Sequence, residues 1–203
     1  MTSFYKLLPE GSESLCRAMI SNDSVIVRVT GPRKTKHGDF RRLPNGDFQI
    51  SINCMDNPYR FLITFVHEWA HWKVFLKVGH FRNPHGSHWK NTFKELMLPF
   101  IGGEVFPESL LKPLASHMIN PKATLDADPT LALALTQFDA DNNKSFIFEL
   151  EKGTRFVMPN KKVYILGALR RKRYACEEVS TGRTFLFASH CKVEVCPDEQ
   201  LTK

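Results

Sequence analysis

No run of about 18 apolar residues occurs in the 203-residue sequence, so no part of it is expected to cross a bilayer as a helix. The opening MTSFYKLLPEGSES lacks the basic region and long apolar core of a secretory signal. Cysteine is sparse, odd in number and scattered, at Cys16, Cys54, Cys176, Cys191 and Cys196. That argues against a disulfide framework and for reduced thiols in a cytoplasmic protein. Internal repeats, low-complexity tracts and paired C-x-x-C elements are also missing. The chain does hold enough apolar material for a core, 42% hydrophobic against 24% charged residues, and suits one medium domain or one domain with a small appendage. Its 28 Lys and Arg outnumber 21 Asp and Glu, a net charge of +7 that permits a polyanionic partner without establishing one.

Local signals predict an α+β protein. Helical spacing marks 10–21, and VIVRVT at 25–30 reads as a strand. A second strand at 38–43 and a third at 47–53 flank the hairpin signal PNGD, giving an expected small antiparallel sheet. The alternation of Phe48, Ile50 and Ile52 with Gln49, Ser51 and Asn53 suggests one buried face, and 47–53 is the candidate sheet edge for pairing with an extended peptide. Asn57 and Pro58 form a helix start and Gly79 a stop, so a helix is predicted over 58–78. Shorter helices follow at 87–97, 109–118 and 129–138. The polar DADNNKS at 139–145 divides the chain into 1–140 and 141–203. The second part is strand-like, with Phe146, Phe148, Phe156, Tyr164, Phe185 and Phe187 as its expected core.

The helix over 58–78 poses a problem. Its stretch TFVHEWAHWKVFL is apolar nearly all round, yet contains His67, Glu68 and His71. Buried imidazoles and carboxylates are costly without partners. No Lys or Arg lies one turn before Glu68, and Lys73 is off to another face. His67-Glu68-Trp69-Ala70-His71 fits H-E-x-x-H, in which histidines at i and i+4 share one helix face and can reach one metal ion, with the glutamate free to act on water. A hydrolytic zinc site needs a third protein ligand and an open position. Gly86 lets the chain fold back after the helix, so His85 is the first candidate for that ligand, with His80 and His88 also just past the helix end.

FLITFVHEWAH, together with PHGSHW and the F-K-E-L helix that follows, resembles the SprT-like zinc metalloproteases, a family that includes Spartan-type enzymes acting on proteins crosslinked to DNA. The resemblance covers about residues 4–98. It implies a zincin-like domain over 1–140, one Zn²⁺ per chain held by His67, His71 and His85, Glu68 as general base, and a protein or peptide substrate. The zinc ribbon that often follows this domain would here have lost its ligands. The alternative for 141–203 is a small SH3-like barrel.

The resemblance also gives meaning to three basic clusters. Arg33, Lys34, Lys36, Arg41 and Arg42 form two of them, and Arg170, Arg171 and Arg173, with Lys172, form the third. All are candidates for contact with DNA phosphates. No membrane partner is expected, and a monomer is the default. Two further readings stay open on sequence alone: a non-cleaving DNA- or protein-binding module, and a metal hydrolase with a non-peptide substrate.

Overall fold

A computed structural model describes residues 4–21, 24–33, 36–79, 83–140 and 144–196. The chain separates into two compact units, Met1–Ala140 and Asp141–Lys203. Helices and strands are both abundant, and no helix among the described residues is long and apolar enough to cross a membrane.

The first unit runs α1 (Glu13–Ser21), β1 (Val25–Thr30), β2 (Gly38–Arg42), β3 (Phe48–Asn53), α2 (Pro58–Val78), α3 (Ser87–Met97), α4 (Glu108–Ile119) and α5 (Pro129–Thr136). Its three-stranded sheet has the order β1-β3-β2. The hairpin partners β2 and β3 are antiparallel, but β1 runs parallel to β3, so the sheet is mixed rather than antiparallel. Arg33, Lys36 and His37, which lie between β1 and β2 in the chain, cross at the end of β3, where all three bond to Asn53. Buried Asn53 fastens that crossing. Its amide donates to the carbonyl of Lys36 at 2.7 Å, and its side-chain oxygen accepts from Arg33 Nε at 2.6 Å.

The edge expectation fails for the same reason. β3 lies in the middle, buried on both faces, and the strand bordering open space next to α2 is β2. Gln49 and Ser51, which alternate like solvent-facing residues, are 6% and 3% exposed and bond to each other at 2.7 Å.

Helix α2 forms the centre of this unit. It packs against β2 and β3 on one flank and α3 on another, and it buries Phe61, Leu62, Phe65, Val66, Trp69 and Trp72, which explains its apolar circumference. Asn57 caps its start, accepting from the N–H groups of Tyr59 and Arg60 at 3.1 and 3.0 Å. The Asn57 amide donates to the carbonyl of Leu135 and to Asp139, tying α2 to α5. At the other end Gly79 takes φ 70° and donates to the Phe75 carbonyl. Replacing Asn57 by alanine removes the cap and leaves a buried carbonyl unpaired. The expected cost is about 2–4 kcal/mol, read as a lower melting temperature of the full chain.

The second unit is an antiparallel sheet of β4 (Lys144–Phe146), β5 (Arg155–Val157), β6 (Val163–Arg170), β7 (Arg173–Glu178), β8 (Thr184–Ala188) and β9 (Lys192–Val195), in the order β4-β9-β5-β6-β7-β8. Ile147, Phe156, Tyr164, Leu166, Cys176 and Val193 form its core. Phe148 and Phe185 lie outside this core, 41% and 38% exposed.

Candidate metal centre

His67 and His71 stand one turn apart on α2, and the turn preceding α3 brings His85 over them. The three Nε2 atoms form a nearly equilateral triangle, with separations of 3.1 Å (His67–His71), 3.0 Å (His71–His85) and 3.1 Å (His67–His85). They are the one group of three such ligands among the described residues. His88 is exposed on α3 and does not join the group. His80 lies outside the described residues. Cys176, Cys191 and Cys196 form no disulfide and no comparable cluster among the described residues.

A divalent metal fits this triangle on two grounds. A neutral imidazole nitrogen either donates or accepts a hydrogen bond, never both. Three such atoms in mutual contact can therefore satisfy at most two of their three contacts, and the third sets lone pair against lone pair or proton against proton. A cation at the common focus removes that conflict. Nitrogens about 2.0–2.1 Å from a tetrahedral zinc are also about 3.3–3.4 Å from one another, close to the spacing observed.

The imidazoles are held neutral, as ligands must be. Burial and the neighbouring rings keep His67 well below its ordinary range, burial and His85 lower His71 to about 4, and burial lowers His85.

Trp89, which the sequence reading left without a role, is the platform for all three rings. Fully buried on α3, it lies 4.5, 5.5 and 4.8 Å from the ring centres of His67, His71 and His85. Its indole N–H donates to the His67 carbonyl at 3.3 Å, and its other side stacks on Phe93. The signal was present in the sequence, since Trp89 and Phe93 are one turn apart on the face of α3 that follows His85. Behind the site, buried His117 is bonded to Asp128 at 2.9 Å.

Glu68 is 8% exposed, with its carboxyl lining the same cleft as the imidazoles. Burial pushes its pKa up to about 8, Asp39 adds to the rise, and Arg33, Lys36 and a hydrogen bond from the Phe40 N–H oppose it. A dication beside it would favour the ionised form. The carboxylate reaches this position because residue 38 has no side chain. A Cβ there would sit 2.7 Å from Glu68 Cγ, 2.9 Å from its Oε1 and 3.0 Å from Thr64 Cγ2. Gly38→Ala should therefore displace Glu68 and overpack the strand–helix contact. A loss of about 1–3 kcal/mol in thermal or denaturant unfolding is expected, with metal content unchanged.

The cleft has a volume of about 770 Å³. Its floor is Ile63, Thr64, His67, Glu68, His71 and Phe75, one wall is β2 with the segment before it, and the other is Ala123–Asp126. The β2 wall is an open edge. Asn53 N–H bonds to the His37 carbonyl and Leu43 N–H to the Asp47 carbonyl. With the register Gly38↔Ile52 to Arg42↔Phe48, antiparallel alternation turns the main-chain groups of residues 39 and 41 toward β3. Those of Gly38, Phe40 and Arg42 point away from it, and no strand among the described residues pairs with them.

The basic candidates divide. Arg33 is committed within the fold, paired with Asp39 and bonded to Asn53 and the Ser51 carbonyl, so its head group is not free for phosphate. Lys36 lies 3.5 Å from Asp39. Arg41 and Arg42 are exposed on the cleft wall. Arg170, Arg171 and Arg173 are exposed at the β6–β7 turn, where Arg171 has φ 58°. Lys34 lies outside the described residues. No protein-family model, curated protein or solved structure matches this chain.

Proposed function

We propose that this protein is a zinc-dependent endopeptidase of the SprT-like, zincin-like type, with His67, His71 and His85 as ligands and Glu68 as the proton carrier. The observation that carries this reading is the Nε2 triangle, 3.0–3.1 Å on each side, next to a buried carboxylate in an open cleft. The H-G-S-H-W turn and the H-E-W-A-H helix supply the elements that the family resemblance requires.

A bound zinc would supply Lewis acidity, bringing the pKa of water to about 7 and polarising a carbonyl. Glu68 would take the proton of the attacking water on its carboxylate and return it to the amide nitrogen as the C–N bond breaks. The imidazoles, kept neutral by burial and braced by Trp89, hold the centre rigid. The Gly38–Arg42 edge favours a peptide over other hydrolysable substrates, because the outward C=O of Phe40 and the outward N–H and C=O of Arg42 match an extended backbone, while the Phe40 N–H is held by Glu68.

The same proposal includes association with DNA through the exposed Arg170, Arg171 and Arg173. A reducing setting such as the cytoplasm suits five cysteines that form no disulfide. Digestion of casein and of a DNA-bound protein, with and without DNA and across a salt series, tests both parts. The expected result is cleavage that a chelator stops, and stimulation by DNA that fades as salt rises. Absence of cleavage by the zinc-loaded chain would refute the peptidase. Cleavage indifferent to DNA would remove the DNA component.

A further inference from the structure

The cleft beside the imidazoles is charged unevenly. Arg33, Lys36, Arg41 and Arg42 all line it, and all come from β2 or the segment before it. The one acid on that wall, Asp39, is already engaged by Arg33 and Lys36. Asp126 on the opposite wall is held by Arg60 at 3.1 Å and His37 at 3.4 Å. Neither acid therefore neutralises Arg41 or Arg42.

The two arginines are also placed on opposite faces of the strand. Arg42 shares its face with Phe40 and Gly38, whose register partners Ile50 and Ile52 are buried in the core with α2. Arg41 shares the other face with Asp39.

We infer that Arg41 and Arg42 select acidic side chains at two successive positions of the peptide that the β2 edge receives. This rests on the peptidase reading and names the class of substrate. A strand added to the edge sets its side chains beside those of its neighbour, with Cβ atoms about 4.5–5.5 Å apart in directly opposed pairs. Successive residues point to opposite faces. A Glu-Glu or Asp-Glu pair thus puts one carboxylate beside Arg42 on the α2 face and the next beside Arg41 on the other. Lys or Arg at either position sets like charges against each other. A nucleic acid would meet the same two guanidinium groups, but its backbone lacks the alternating donors and acceptors that pair with the outward Phe40 C=O and Arg42 N–H and C=O.

The test uses the zinc-loaded Glu68→Gln protein and fluorescent dodecapeptides that differ only in one adjacent pair, Glu-Glu, Gln-Gln or Lys-Lys, with the pair moved through every frame. Binding is read by anisotropy at low and physiological salt. In one frame the Glu-Glu peptide should bind about three- to tenfold more tightly than Gln-Gln, and Lys-Lys more weakly than both. The difference should narrow as salt rises. Arg41→Gln/Arg42→Gln should abolish the order and Arg41→Glu/Arg42→Glu should reverse it. Equal affinities in every frame, an order that survives charge reversal, or binding of a single-stranded oligonucleotide with none of any peptide would each overturn the inference. Parallel digestion by the wild-type chain separates the two claims. Equal cleavage of all three peptides would sink the acidic preference and leave the peptidase standing. Charge-ordered binding without any cleavage would do the opposite.

Discussion

Replacing Glu68 by glutamine is expected to lower peptide hydrolysis by about 10²–10⁴-fold while leaving zinc content unchanged. The amide keeps the shape of the carboxylate but cannot carry a proton from water to the leaving amine. Stability should move the other way in the metal-free protein. The folded pKa of Glu68, about 8, lies above its ordinary value of 4.5. A group raised on folding contributes its stability fully below the unfolded pKa and loses it as pH climbs through the folded one. Metal-free wild type should therefore lose stability relative to Glu68→Gln between about pH 5 and 8. The difference reaches about 3–5 kcal/mol at the alkaline end. Denaturant unfolding of both proteins across that range checks it, and parallel curves would show that the carboxylate is not held as described. Adding zinc should shrink the difference, because a nearby dication stabilises the charged form.

The second large effect concerns the third ligand. His85→Ala should weaken zinc binding by at least about 100-fold, because two imidazoles on one helix turn leave a four-coordinate ion half solvated. His88→Ala should change affinity little, since His88 is exposed and outside the triangle. Competition against a chelating dye measures both. A loss at His88 or His80 comparable to that at His85 would reassign the ligand.

These expectations rest on features that were unequally legible in the sequence. The limits of α2 could be read because they are set locally: Asn57 accepts two N–H groups within three residues, and Gly79 adopts a backbone that other residues resist. The H-E-x-x-H spacing likewise needs only one helix turn. Which histidine completes the set could be read only as a ranking with His85 first, and among the described residues the path of the turn into α3 brings His85 rather than His88 to the other two.

The sheet differs from the expected antiparallel one because its order depends on contacts between distant residues. The parallel pairing of β1 with β3 follows from a crossing that Asn53 fastens to Arg33 and Lys36. The polar residues of β3 suggested a solvent-facing edge, but Gln49 and Ser51 satisfy each other inside the fold. Moving the edge to β2 changes the chemistry, because β2 places Gly38 against Glu68 and Arg41 and Arg42 along the cleft. Trp89 shows a related gap. Its spacing from Phe93 places both on one face of α3, while its contact with three imidazoles depends on the packing of α3 on α2.

Zinc titration of the metal-stripped chain, followed by elemental analysis after gel filtration, addresses the Nε2 triangle most directly. One tightly held zinc per chain is expected in the wild type and in Glu68→Gln, and none in His67→Ala, His71→Ala or His85→Ala. A folded wild-type chain that retains no zinc, or a His67→Ala/His71→Ala double variant that retains it undiminished, would contradict the account.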